Sequence, residues 1–459
     1  MTTSSSESQS LRSRFIGVVS NSTVVMFSSL AAKNVFRLAG NLVITRILAP
    51  EAFGVVGVIT SISFLLTMLT DMGFRPFVVQ ARRADDPKFL DVIWTIRLGR
   101  SILLAALMFF GAGLLAQAFD KPELQTPIAM TSFLFLIEGV QSLAFITAER
   151  ARRISFVSLL ELGIFVFQTC VAIVAAFLMK NFWAIIVSMY AGGALKILIS
   201  YVLFEGSRRK FRFNREVSAE LWRFSRFIIA SGVIAIFMRQ ADKLFLARMI
   251  PLEILGLYML AANMAASAHQ MIVSYASRIL MPLYAETHRE KPETLKDVYY
   301  SARRRVTLFL AFIVGGGIGG GTLIFRILFD DRYLGAGLYF SLLCFLPLFR
   351  LSTLAAEKIL VVYGRVRTTL EANVLRLAWI AVGAPLGYAN FGVLGLIAAF
   401  ALMELPALIY WWLRLYGRGV LNMREELSYL AAAAVGAAIG FVGQELIASL
   451  IASGVIPSF

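Results

Sequence analysis

Two cations and an amide, Lys33, Arg37 and Asn41, stand four residues apart in KNVFRLAGN (33–41), inside an otherwise apolar stretch. Positions four apart share one face of a helix. A charged side chain at mid-membrane costs about 2.5–3.5 kcal/mol on insertion scales. A stripe of this kind therefore calls for something anionic opposite it. Arginine offers a planar fork that matches carboxylate or phosphate oxygens, and lysine a point charge.

A second stripe lies further along. RLAGNLVITRILAPEAFG (37–54) aligns with RQADKLFLARMIPLEILG (239–256) at a constant shift of 202. Arg37 then meets Arg239, Leu42 meets Leu244, Arg46 meets Arg248, Glu51 meets Glu253 and Gly54 meets Gly256. Asn41 corresponds to Lys243. Two cationic stripes facing each other would form an anion site from Lys33, Arg37, Asn41, Arg239 and Lys243. Arg46 and Arg248 fall near helix ends, where long side chains reach the headgroups, and read as structural. Glu51 and Glu253 open the following helices, where a carboxylate suits the positive helix end.

Other polar groups are embedded in apolar stretches. Lys196 and Arg350 are further candidate cavity cations. Asp242 and Glu138 are candidates for ion coupling. Asp242 also reads as the neutralising partner of a buried cation, and Glu138 and Glu404 as hydrogen-bonded packing groups; the residues alone leave these alternatives open.

The elements that must position these groups are membrane helices. The chain has 459 residues, of which 59% are hydrophobic and 16% charged, with a mean hydropathy of +0.76. Apolar runs of about 20 residues recur from Val24 almost to the C-terminus, which predicts an all-α polytopic membrane protein. The alternating short segments of a membrane β-barrel are absent. About thirteen spans are expected, near 22–47, 53–73, 95–117, 127–148, 154–178, 182–204, 226–249, 254–277, 305–328, 336–360, 370–390, 393–414 and 428–452. The polar N-terminal stretch 1–21 reads as a cytoplasmic tail rather than a signal peptide. Six spans (22–204) precede a basic linker (205–225) and six follow (226–414). Residues 415–459 add a loop and one extra helix. An even number of spans per repeat predicts parallel repeats related by an axis along the membrane normal.

The net charge of +16 would suggest nucleic acid in a soluble chain. Here the basic residues cluster in alternate loops, including ARRADDPK (81–88), GSRRKFRFNR (206–215), GRVR (364–367) and RLYGRG (414–419). By the positive-inside rule that side is cytoplasmic, which places the N-terminus inside. No nucleic acid partner is expected; anionic lipid headgroups are.

No paired carboxylates, nucleophile or metal-ligand spacing suggests an enzyme, a metal site or a cofactor. Cys170 and Cys344 read as small packed hydrophobes. VGGGIGGGT (314–322) imitates a phosphate loop but lacks the Gly-Lys-Ser/Thr ending and the strand before it. Close helix packing explains it better, because small residues let backbones approach. Pro347, Pro385 and Pro406 fall inside spans and predict kinks.

NLVITRILAPEAFGVVGV (41–58), followed by TDMGFRPFVVQ (70–80), resembles the opening of the polysaccharide transporter family, within the multidrug/oligosaccharidyl-lipid/polysaccharide flippase superfamily. RQADKLFLARMIPLEILGLYMLA (239–261) is similar to that family's seventh-span signature. The resemblance covers about residues 20–415. It implies a V-shaped core of two six-helix bundles working by alternating access. It implies a flippase that moves undecaprenyl-pyrophosphate-linked oligosaccharide across a bacterial inner membrane for surface or exopolysaccharide synthesis, beside polymerase or synthesis partners. Carried over to this chain, the cavity cations are Lys33, Arg37, Arg239 and Lys243. The alternatives are a multidrug or cation antiporter of the same superfamily, and a non-transporting scaffold for glycan assembly. An antiporter should line its cavity with acids, whereas here cations outnumber acids on the two matched helices.

Overall fold

A computed structural model describes residues 28–453 apart from 30, 205 and 366, without the side chains of 227–239, 278, 451 and 452. Every regular element in it is helical. The longer helices are α1 (31–47), α2 (Pro50–Leu69), α3 (Pro87–Phe110), α4 (Pro122–Val140), α5 (Ile154–Met179), α6 (Trp183–Val202), α7 (Arg215–Met249), α8 (Leu252–Tyr275), α9 (Leu295–Leu328), α10 (Gly335–Val362), α11 (Arg367–Ala401), α12 (Glu404–Tyr416) and α13 (Met423–Ala452).

Among the described residues eight helices are long and apolar enough to cross a membrane, or nine if the pair Pro122–Val140 and Ala144–Arg150, bent by 48°, forms one span. The sequence reading places about thirteen, and the difference has local causes. The stretch Arg367–Tyr416 counts once although it has 50 residues. Straight, it would run about 75 Å, more than twice the hydrocarbon thickness of about 30 Å. It turns instead at Gly392, whose φ of 58° suits a residue without Cβ. Gly387 and Gly395 then approach so closely that a Cβ on Gly395 would stand 2.0 Å from the Gly387 carbonyl oxygen. The expected span 22–47 lies partly outside the described residues, as do the side chains of 227–239 in the expected span 226–249, and α8 carries Asn263, His269 and Gln270.

Prolines mark several of the breaks, since proline removes a helical hydrogen bond and crowds the preceding turn. α8 passes through a π-turn at Ala276–Leu280 just before Pro282. α10 is interrupted at Cys344 before Pro347, and the chain turns at 402–403 before Pro406. Pro385 lies inside α11 without a break at that point; the turn is at Gly392.

The chain forms two units. One contains the residues up to Leu48 and Val58–Ile236; the other contains Ala49–Gly57 and Phe237–Phe459. In the first, Phe74, Phe77, Phe89, Ile93 and Trp94 pack with Val217 and Leu221 at the start of α7. In the second, Tyr284, Tyr299, Trp411 and Tyr429 are fully enclosed in one apolar cluster. Large apolar side chains such as Phe110, Leu178 and Phe391 lie exposed, as surfaces facing lipid require.

The glycine-rich run packs α9 against α13 in the second unit. Gly315, Gly316, Gly319 and Gly320 of α9 face Ala433, Gly436, Ala437 and Gly440 of α13. A Cβ on Gly319 would stand 1.9 Å from the Ala437 carbonyl oxygen, and one on Gly436 2.1 Å from that of Phe312. Two backbones approach here because both helices present small residues, which is how helices associate where lipid supplies no hydrophobic drive. At the start of α13, buried Glu426 pairs with buried Arg303 of α9 and accepts from Ser352 Oγ at 2.6 Å.

The sequence repeat makes a contact of its own. A Cβ on Gly54 would stand 2.0 Å from the Leu252 carbonyl oxygen, and one on Gly256 1.8 Å from that of Pro50. Under the shift of 202, Pro50 matches Leu252 and Gly54 matches Gly256. The crossing of α2 and α8 is therefore reciprocal, as in an interface between two copies of one motif. All four residues belong to the second unit.

Gly319→Leu should lower the unfolding temperature of the purified protein by several degrees or abolish its monodisperse fraction, since overpacking costs about 1–3 kcal/mol or more. Gly163→Leu, at a glycine with open space around it, should leave both unchanged. Equal behaviour of the two variants would refute the assigned α9–α13 contact.

Candidate functional site

The first unit holds the stripe on α1. Gly40 lies against α5, where a Cβ would come within 2.5 Å of the Thr169 methyl. Lys33 and Arg37 are half-buried. Lys33 Nζ stands 5.3 Å from the centroid of the Phe165 ring of α5. A ring attracts a cation through its quadrupole and does not neutralise it. Arg37 donates through Nη2 to Asn34 Oδ1 at 2.6 Å. Asn41 is half-buried one turn further, and its carbonyl oxygen accepts from Thr45 Oγ1 at 2.8 Å. Lys196 of α6 places Nζ 5.5 Å from the Phe145 centroid. Glu138 of α4 is exposed.

The second unit holds the matching positions on α7. The side chain of Arg239 lies outside the described residues. Lys243 donates to Gln240 Oε1 at 3.1 Å. Asp242 accepts a hydrogen bond from the Tyr258 hydroxyl of α8, so its partner among the described residues is a phenol.

Arg350, a candidate cavity cation, belongs to a buried triad. Its guanidinium lies 3.1 Å from Glu404 Oε1. Arg376 of α11 reaches Glu404 Oε2 at 2.8 Å, and Thr353 Oγ1 donates to the same oxygen at 3.0 Å. Arg376 also donates to Asn373 Oδ1 at 2.7 Å. Glu404 and Arg376 are each only 1% exposed. Two guanidiniums share one carboxylate, so the triad carries a net positive charge. Arg350 is its most exposed member. Of the two packing-or-proton readings of Glu404, the geometry shows a carboxylate held on both oxygens.

Three arginines absent from the sequence-derived candidates are also built into the helices. Arg97 of α3 donates to the Glu138 carbonyl at 3.0 Å and to that of Gln141. These carbonyls lose their helical partners where α4 breaks before Ala144. The Val140 carbonyl at the same break accepts from Tyr201 at 2.7 Å and from Trp94 Nε1 at 3.3 Å. Arg100 closes the end of α2, donating to the Thr67 carbonyl at 2.8 Å and to Thr70 Oγ1 at 3.0 Å. Arg376 is the third. The pair Arg97 and Arg100 inside an apolar span was a legible signal; its partners, 30 to 44 residues away, were not. Among the described residues no three His, Cys, Asp or Glu side chains cluster as metal ligands would. Cys344 is buried, and Cys170 is exposed rather than packed.

A family model described as polysaccharide biosynthesis protein matches residues 43–336. The lipopolysaccharide biosynthesis protein WzxC of Escherichia coli (strain K12) is 21% identical over 370 residues, which are 79% of this chain and 74% of that protein. The succinoglycan biosynthesis transport protein ExoT of Rhizobium meliloti (strain 1021) is 20% identical over 276 residues, 60% of this chain and 55% of that one. Among solved structures, the lipid II flippase MurJ in an inward closed conformation superposes with a TM-score of 0.67 at 10% identity, covering 92% of this chain and 91% of MurJ. An inward-facing multidrug resistance MATE family transporter of the MOP superfamily gives 0.61 at 15% identity, covering 88% and 98%. At these identities the superpositions show the fold alone, that of a multi-pass, all-helical membrane protein of the MOP type.

Glu404→Gln should destabilise the second unit strongly, by about 3–5 kcal/mol, because it leaves buried Arg376 unpaired. Arg350→Met should cost much less, since Arg376 keeps its carboxylate. Thermal unfolding in detergent checks both; equal small shifts would show that the triad does not anchor α10, α11 and α12.

Proposed function

The chain belongs to the family of polysaccharide biosynthesis proteins, and from that premise we propose that it is a flippase for polyprenyl-pyrophosphate-linked oligosaccharide repeat units. The family match carries the reading, because residues 43–336 take in most of the first copy of the repeat and all of the second. The names of the relatives support it: one is a lipopolysaccharide biosynthesis protein and another a succinoglycan biosynthesis transport protein. The protein is a transporter of polysaccharide biosynthesis; the repeat unit, the pyrophosphate carrier and the steps below are the proposal.

The head of such a substrate is anionic, strongly hydrated and followed by sugars. Its tail is a hydrocarbon that stays in lipid. Carrying the head through low dielectric requires cations that replace its water. The stripe Lys33, Arg37 and Asn41 on α1 suits that task, with Arg239 and Lys243 at the matching positions on α7. Lys33 fits because a cation held against a ring keeps its charge available. Lys196 and Arg350 supply further positive potential. In this reading two six-helix bundles form a V-shaped core, α13 is an added helix, and rocking of the bundles exposes the head first to the basic side and then to the other. The N-terminus is cytoplasmic and the membrane is a bacterial inner membrane. Asp242 and Glu138 are the acids considered for ion coupling. Polymerase or synthesis enzymes would receive the product on the far side.

The test is translocation in liposomes. Lipid-linked oligosaccharide is placed in one leaflet, and its arrival in the other is followed with a membrane-impermeant enzyme, with and without an ion gradient. Arg37→Ala and Arg239→Ala should each slow transport about tenfold or more, since hydrogen bonds to charged groups are worth roughly 1.5–3 kcal/mol. Arg46→Ala should stay near the wild-type rate. Normal transport by the Arg37→Ala/Arg239→Ala double variant would discard the site. No transport by wild type under any gradient would discard the flippase.

A further inference from the structure

The second unit carries a cleft of about 560 Å³ that none of the assignments above uses. It lies where α10 and α12 end and α11 begins, at the end of the unit that holds the basic loops GRVR (364–367) and RLYGRG (414–419). Arg365, Arg367, Arg414 and Arg418 line it, together with a single acid, Glu371. Four guanidiniums against one carboxylate leave three positive charges on its walls.

The loops that hold the arginines are built alike. Each helix ends in a glycine of positive φ, Gly364 at 76° and Gly419 at 67°. The next residue folds back onto the helix: the Arg365 amide donates to the Leu360 carbonyl at 2.9 Å, and the Val420 amide to that of Leu415 at 3.1 Å. This cap ends a helix abruptly and fixes the chain that leaves it. It holds Arg365 and Arg418 at the cleft although both are exposed.

The acid is fully engaged. Glu371 accepts from Arg414 Nη2 at 2.8 Å and from the Tyr410 hydroxyl, and pairs with Arg367 at 3.4 Å. Arg414 also donates to Tyr410 Oη at 2.9 Å. Arg367 and Arg414 are thereby oriented on the wall. The Arg418 guanidinium sits 4.9 Å from the Tyr363 centroid. Among the described residues no carboxylate pairs with Arg365 or Arg418. The first turn of α11, with Arg367 and Thr368 on the lining, adds the positive end of a long helix.

The lining is not wholly polar. Leu360 and Leu413 form an apolar part of it, and Leu413 and Tyr416 are 65% and 73% exposed on the adjoining surface of α12. An apolar wall beside a basic floor fits an amphiphile better than a free anion. We propose that this cleft binds the phosphate headgroup of an anionic phospholipid, with the acyl chains lying along α12. Basic clefts among membrane helices on the positive side are a recurrent form of headgroup recognition, and the volume falls in the usual range of ligand pockets. The proposal does not depend on the flippase reading.

The experiment titrates the full-length protein in neutral detergent with phosphatidylglycerol and with phosphatidylcholine of the same chains, counting bound lipid by native mass spectrometry. Phosphatidylglycerol should be retained in preference. Arg365→Ala/Arg418→Ala should weaken that retention about tenfold or more. Arg82→Ala/Arg208→Ala, which removes two exposed arginines of the first unit, should not. The Arg365→Lys/Arg418→Lys variant, which keeps the charge, should keep most of the preference and guards against a folding defect in the alanine pair. Equal loss in the two alanine pairs would mean general surface charge and overturn the site. Displacement of the lipid by inorganic pyrophosphate but not by added phosphatidylglycerol would reassign the cleft to a soluble phosphate.

Discussion

A guanidinium cannot be buried in a bilayer unless something answers it, and the described structure is organised around that constraint. Arg303 is answered by Glu426, Arg376 by Glu404, and Arg97 by carbonyl oxygens freed at the break in α4. In each case the cation joins two different helices. Arg303 ties α9 to α13, Arg376 ties α11 to α12, and Arg97 ties α3 to α4. Such pairs add little net stability over apolar residues, but removal of one partner leaves a charge in low dielectric. They therefore act as fixed points: the helices are held in the one arrangement that satisfies them all. Lys33 and Lys243, proposed to serve transport, differ in kind. Lys33 faces a ring and Lys243 an amide oxygen, partners that hold a side chain without consuming its charge.

Glycine supplies the second fixed element, because backbone-to-backbone approach is the main attraction left to helices surrounded by lipid. α9 and α13 meet along two matched rows of small residues, with Arg303 and Glu426 closing one end of the seam. The helix that seemed supernumerary in the sequence is thus packed into the second unit. α2 and α8 meet by the same device at Gly54 and Gly256. A side chain at either glycine would strike the other helix's carbonyl, and the two positions are equivalents of each other in the repeat.

This explains which parts of the molecule could be read from the sequence. The repeat was legible because Gly54 and Gly256 are constrained by one contact, and the run 314–322 because small residues in an apolar helix have few other uses. The membrane class followed from hydropathy alone. The arginine pairs were not legible. Nothing near Arg376 points to Glu404, and nothing near Arg97 shows that α4 will break and offer carbonyls. These are choices of tertiary structure, visible only once distant helices are adjacent. The turn at Gly392 was legible, as the gap between the expected spans 370–390 and 393–414, whereas Pro385, the more obvious breaker, leaves α11 unbroken at that point.

The same distinction bears on where an ion could act in a transport cycle. An acid that changes its charge must do so without dismantling the scaffold. Glu404 fails this condition, because protonation would release Arg350 and Arg376 together and leave both guanidiniums facing each other in a buried site. Glu426 fails it for Arg303. Asp242 differs: among the described residues it accepts from the neutral hydroxyl of Tyr258, which can accept as readily as donate. The acid most deeply committed to arginine is therefore the one least suited to coupling. Asp242, proposed for that role, is held among the described residues by a hydroxyl and not by arginine, on the same helix as Lys243.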